Sequence, residues 1–173
     1  MGIRNRKLAC SMLVGLFFIV ISYSKTIAQN TKLSDEALSS SFYDTEGEHI
    51  PLKEILERYP DKTILIDLWA SWCKDCIVGF PKLKEIQKKR KNLTVVYLSV
   101  DKKDDEWKNG IKKFGLDGNN FRADKGWESE FCESIELDWI PRYMLVDSKG
   151  NILHYKSIEA RDRSLAKALK ASS

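Results

Sequence analysis

The sequence predicts an α/β domain: a mixed central β-sheet flanked by helices on both faces. Three observations carry this. Thr63 to Trp69 is an apolar, β-branched run that leads directly into Cys73-x-x-Cys76 and a long helical pattern. The patterns then alternate strand, helix, strand, helix, and strands joined through a helix run parallel in a crossover. Lastly, the turn Asp147-Ser148-Lys149-Gly150-Asn151 separates two short strand patterns before a final helix, which adds antiparallel strands. Packing such a sheet requires helices on both sides.

Taken in order, residues 1–28 read as an export signal. Arg4, Arg6 and Lys7 precede an apolar run of 14 residues, Leu8 to Ile21. That length suits a signal core and falls short of the ~20 residues of a membrane-spanning helix. A small residue, Ala28, marks a plausible cleavage point, and an uncleaved anchor is the alternative. Cys10 lies at the start of the apolar run, whereas a lipid-bearing cysteine should follow it. An exported chain meets an oxidising compartment. The expectation is a periplasmic or otherwise extracytoplasmic protein, soluble after cleavage or membrane-anchored through its N-terminus.

Residues 29–41 are polar and Ser-rich and read as a spacer ahead of a domain over 42–173. Phe42 to Ile50 reads as two short strands around a turn at Gly47. Pro51 opens a helical turn through Leu56. Thr63 to Trp69 has the apolar content of a central strand buried on both faces, broken by Asp67. A helix over Cys73 to Lys89 follows. Leu93 to Val100 is a second central strand of strand-forming residues. Asp104 to Phe114 starts acidic and reads as a helix, Gly115 to Asn120 as a loop, and Trp127 to Ile135 as a short helix. Strands over Tyr143 to Val146 and Ile152 to Tyr155 flank the hairpin turn. Arg161 to Ala171 closes the chain as a helix.

The net charge is +4, but the first 28 residues hold four basic side chains and no acid. The remainder is formally neutral, which argues against nucleic acid as a partner. Lys88-Lys89-Arg90-Lys91 reads as a solvated helix end, where cations suit the dipole.

The chemistry concentrates at the cysteines. Cys73 stands at a predicted helix start, where unpaired N–H groups and the dipole favour a thiolate. Such a setting lowers a thiol pKa from about 8.5 into roughly 3.5–7.5. Cys73 is therefore the attacking thiol and Cys76, one turn on, the resolving one. A zinc clip is the alternative, but four ligands are usual. Beyond the pair only Cys132, His49 and His154 remain outside the signal, none at ligand spacing. Cofactor and metal are expected to be absent. Asp67, desolvated on an apolar strand, is the expected base for Cys76. Cys132 reads as a small buried hydrophobe, and His49 and His154 as surface strand residues. Trp69 reads as core, and Trp107, Trp127 and Trp139 as packing residues.

These residues resemble the thioredoxin-like fold, and more closely the exported TlpA/ResA-like thiol–disulfide oxidoreductases. The likeness runs from about Phe42 to Leu169. It rests on Trp72-Cys73-Lys74-Asp75-Cys76, on Asp67 six residues before the first cysteine, and on Ile140-Pro141 before a strand. Phe42 to Leu56 resembles the family's N-terminal β-hairpin, and Asp101 to Trp127 its central insertion. The resemblance implies a cis Pro141 against the dithiol, with flanking backbone that pairs an extended substrate. It also implies Trp72 and Ile140 as substrate contacts. Many ResA-like members carry a glutamate three residues after the second cysteine, where this chain has Gly79.

The function so implied is an exported oxidoreductase acting on disulfide-containing protein substrates, in the reducing direction. It would be recharged by a membrane-embedded thiol electron donor. Oxidase or isomerase chemistry at the same dithiol is the alternative direction. A copper-binding thioredoxin-fold chaperone, with His154 as the extra ligand, is the alternative class. The Pro-x-x-x-Thr-x-x-Cys pattern of peroxide-reducing relatives is absent.

Overall fold

A computed structural model of the chain describes residues 31–172. Residues 1–28, read from the sequence as an export signal and containing Cys10, lie outside the described residues. Seven strands form one sheet: β1 (Ser41–Tyr43), β2 (His49–Pro51), β3 (Thr63–Trp69), β4 (Leu93–Ser99), β5 (Asn119–Ala123), β6 (Arg142–Val146) and β7 (Ile152–Ser157). Their spatial order is β2-β1-β5-β4-β3-β6-β7. The three inner strands β5, β4 and β3 are parallel; β6, β7, β1 and β2 join antiparallel. The helices are α1 (Asp35–Ser39), α2 (Leu52–Glu57), α3 (Lys74–Lys89), α4 (Asp104–Phe114), α5 (Glu130–Ser134) and α6 (Arg163–Ala171). This is the thioredoxin-like arrangement the sequence implied.

β3 organises the molecule. All of its residues are buried. Ile64, Ile66 and Leu68 face one side of the sheet, and Leu65, Asp67 and Trp69 the other. The second row lies beneath α3. Trp69 meets Phe80 of that helix edge-on at 5.4 Å, and Phe80 meets Tyr97 of β4 at 6.3 Å.

Three expectations are corrected. The described part of the 29–41 segment is more than a spacer. Ser34 caps α1 by accepting from the Ala37 N–H at 3.2 Å, and Leu33, Ala37 and Leu38 are buried. A Ser cap followed by acids is a helix-start signal, and three apolar side chains suffice to seal a five-residue helix. Asn119 to Ala123, whose first two residues read as loop in the sequence, is the parallel strand β5. Its apolar run is short, and its pairing with β4 from Val96↔Asn119 to Ser99↔Arg122 is a long-range choice. The helix expected over Trp127 to Ile135 is broken. A 3-10 turn spans Gly126–Glu128, and Ser129 then caps α5 through the Cys132 N–H.

Among the described residues no helix is long and apolar enough to cross a membrane.

Candidate active site

β3 ends at Trp69 and the chain turns tightly, with the Cys73 N–H donating to the Ala70 carbonyl at 3.0 Å. Cys73 is the N-cap of α3 rather than its first residue: its sulfur accepts from the Cys76 N–H at 3.1 Å. The sulfur therefore sits over the unpaired first-turn donors, where negative charge is favoured. The two sulfurs are bonded, with Cα atoms 5.3 Å apart. Cys73 keeps 6% of its surface exposed and Cys76 none. A solution thiol or disulfide reaches Cys73 only.

A second carboxylate holds this turn in place. Asp101, just beyond β4, is fully buried. It accepts from the Ser71 N–H at 2.9 Å, the Ser71 hydroxyl at 2.8 Å and the Ser99 hydroxyl at 2.7 Å. The sequence reading missed it, because one aspartate at a strand end looks like any loop acid. Gly110 of α4 completes the support: a Cβ there would press on the Ser71 and Trp69 side chains at 3.0–3.1 Å. Asp101→Ala leaves the Ser71 N–H unpaired. It is expected to lower stability by about 2–3 kcal/mol in urea unfolding and to loosen the turn that carries Cys73.

The Ile140–Pro141 peptide bond is cis. It brings the Ile140 carbonyl oxygen to 3.7 Å from the Cys73 sulfur. Arg142, buried at the start of β6 just after this bond, pairs with Asp138 and lies over the Tyr155 ring. The loop expected to face the dithiol does so. The Ile140 side chain is buried, so only its backbone is available to a substrate.

Several large apolar side chains are exposed near the dithiol. Trp72 is 60% exposed and Trp139 54%; Val78 and Ile158 are exposed as well. Trp139 thus corrects the packing role read from the sequence. It lines a cavity of about 330 Å³ together with Asp75, Val78, Gly79, Pro141 and Tyr143. A single tryptophan in a turn carries no sequence signal that separates core from rim.

Asp67 is fully buried, and neither carboxyl oxygen has a hydrogen-bond partner among the described residues. The carboxyl is therefore neither at an exposed edge nor in an ion pair among the described residues. Burial pushes its carboxyl well above the usual carboxylate range. Its neighbours across the sheet are Tyr97 on β4 and Tyr143 on β6. Burial first, and the Asp67 carboxyl second, push both phenols up.

The remaining thiol, Cys132, is buried in α5 with its sulfur 3.7 Å from the Gly126 carbonyl oxygen, and burial pushes its pKa up. His154 is held by the Ser157 hydroxyl at 2.7 Å. It lies in register with Leu145, well along β6 from Pro141. Among the described residues no group of three or more His, Cys, Asp or Glu is placed to hold a metal ion.

A Cys-x-x-Cys pair capping a helix, with a small exposed edge on its first residue and none on its second, defines a thiol–disulfide oxidoreductase of thioredoxin fold. A sequence model of the thioredoxin-like family matches residues 61–152, more than half of the chain. The chain belongs to that thioredoxin-like family, and its relatives place it with the TlpA/ResA-like members. It is 26% identical over 147 residues to the thiol–disulfide oxidoreductase ResA of Bacillus thuringiensis subsp. konkukian, covering 84% of this chain and 81% of that protein. The solution structure of a candidate thiol–disulfide oxidoreductase from Bacteroides vulgatus is similar at 30% identity and a TM-score of 0.64. That match covers 78% of this chain and 86% of the other. A thiol–disulfide oxidoreductase from Bacteroides fragilis is similar at 26% identity and a TM-score of 0.62, covering 76% and 94%.

Proposed function

We propose that the chain is an exported reductase of protein disulfides. The observation that carries this reading is the buried, unpaired Asp67 on the sheet face beneath the Cys73–Cys76 helix. Reduction of a target needs Cys76 to lose a proton while it is buried, and a desolvated carboxylate is a base of suitable strength. Cys73 attacks the target disulfide and releases one target thiolate. Cys76 gives its proton to Asp67, attacks the Cys73 sulfur and releases the second thiolate. The target is reduced by two electrons and Cys73–Cys76 is oxidised.

Trp72, Trp139 and Val78 form an apolar rim for the target, and the Ile140–Pro141 backbone offers an edge to an extended segment. The basic and apolar character of residues 1–28 supports export, either cleaved or retained as an anchor. In an oxidising compartment the spent disulfide needs a membrane-embedded thiol donor.

The reduction potential of Cys73–Cys76 tests the direction. A value near about −270 mV, with reduction of insulin disulfides, is expected; one near about −120 mV would make the protein an oxidant. Tight stoichiometric copper binding by the reduced protein, without insulin reduction, would replace the reading with a copper chaperone.

A further inference from the structure

A base that acts once per turnover must return its proton to solvent. Asp67 has no exposed surface through which to do so. Its partners across the sheet are Tyr97 from β4 and Tyr143 from β6, and Cys76 is buried in the helix that covers this face. Further out, Asp75, Lys82, Glu159 and Arg161 line the nearby cavity.

Of these three groups, Tyr143 alone also lines that cavity. It stands opposite Asp67 in the β3–β6 register. Its hydroxyl lies against the α3 backbone at Gly79, and any Cβ at that position would overlap it. Gly79 and Tyr143 both line the 330 Å³ cavity beside Pro141 and Trp139. The hydroxyl is buried and, like both Asp67 oxygens, has no protein partner among the described residues. Buried oxygens without protein partners on residues paired across the sheet are what an internal solvent molecule can satisfy.

We propose that Tyr143 is a positioning residue for the Asp67–Cys76 proton transfer, its hydroxyl and one bridging water linking the buried carboxyl to the cavity at Gly79. This rests on Asp67 being the base in the reading above. As Cys76 resolves the mixed disulfide, its S–H bond breaks and the proton goes to an Asp67 oxygen. The sulfur's electron pair forms the bond to Cys73, and the departing target thiolate takes a proton from solvent. Asp67 then passes its proton to the bridging water. That water leaves to the cavity as hydronium and a solvent water replaces it, while the buried Tyr143 hydroxyl holds the site and keeps its own proton. Carboxylate, water and phenol all end as they began. Glycine at 79 is what leaves the hydroxyl its place.

The test titrates the Asp67 carboxyl by its ¹³Cγ shift in the oxidised protein, where no turnover is needed. In Tyr143→Phe the charged carboxylate loses a stabilising dipole, so the midpoint is expected to move up by about one unit. Resolution of a preformed Cys73 mixed disulfide should show the same shift in its pH profile, about tenfold slower below the midpoint, with the attack rate of Cys73 unchanged. Gly79→Ala keeps the hydroxyl but pushes it aside, and should shift both midpoints the same way. It answers the question if Tyr143→Phe fails to fold by near-UV circular dichroism. Unchanged midpoints and an unchanged resolution profile in a folded variant overturn the proposal. A wild-type protein whose Asp67 titrates but which resolves no mixed disulfide overturns the reading of function instead.

Discussion

Cys76→Ser is expected to turn the protein into a trap for its substrates. Cys73 keeps its helix cap and its accessible edge, so it still opens a target disulfide. The buried sulfur that should close the cycle is gone. Resolution by Cys76 is intramolecular, and well-oriented intramolecular steps have effective concentrations of about 10⁵ M and above. An added thiol at millimolar concentration cannot compete. Turnover should fall by on the order of a thousandfold or more, and a covalent adduct should survive non-reducing electrophoresis. Cys73→Ser should yield no adduct, because Cys76 has no exposed surface. Adducts formed by Cys73→Ser and not by Cys76→Ser would reverse the two roles. The same trap, used on cell extracts, would isolate the physiological targets.

Asp67→Asn is expected to act in two opposite ways. In the proposed mechanism it removes the proton acceptor, and positioned general bases contribute roughly 10²–10⁴-fold. Resolution of mixed disulfides near neutral pH should slow by about a hundredfold at least, with the first attack by Cys73 little changed. In stability it should help. The Asp67 carboxyl titrates higher in the folded chain than in the unfolded one, so between those two pKa values the native state holds the extra proton. Stability is then greatest below the unfolded pKa and falls as pH rises toward the folded one. Above it the fold carries an unpaired buried charge. Asp67→Asn removes that slope. It should make the oxidised protein more stable than wild type at alkaline pH by about 2 kcal/mol, less than a full buried charge because the amide is also unpaired. Urea unfolding at several pH values measures it. Parallel pH profiles for the two proteins would mean that Asp67 is not the group responsible.

Gly79 and Tyr143 explain a departure that the sequence could only register. Where many ResA-like relatives have a glutamate, this chain has no side chain at all. The reason is visible only across the sheet: the Tyr143 hydroxyl occupies the space where a side chain at 79 would begin. The pair is separated along the chain by more than a helix, two strands and a loop. No local pattern links them.

The same distinction runs through the molecule. The chain by itself determined the elements that depend on local patterning. Thr63–Trp69 is a strand because its apolar, β-branched residues suit burial on both faces. Asp104–Phe114 is a helix because acids open it and Gly115, in the left-handed region, closes it. Cys73 and Cys76 are a redox pair because a Cys-x-x-Cys at a helix start puts one sulfur over the unpaired N–H groups. Asp67 was legible as an anomaly, a carboxylate in an apolar strand. What only the tertiary structure decided depends on contacts distant in sequence. β5 exists because β4 offers it a free edge. Asp101 matters because Ser71 and Ser99 converge on it. Trp139 stands on the rim, exposed beside Pro141 in the lining of the cavity. Periodicity and caps are properties of neighbours along the chain; satisfied carboxylates, cavities and proton routes are properties of neighbours in space.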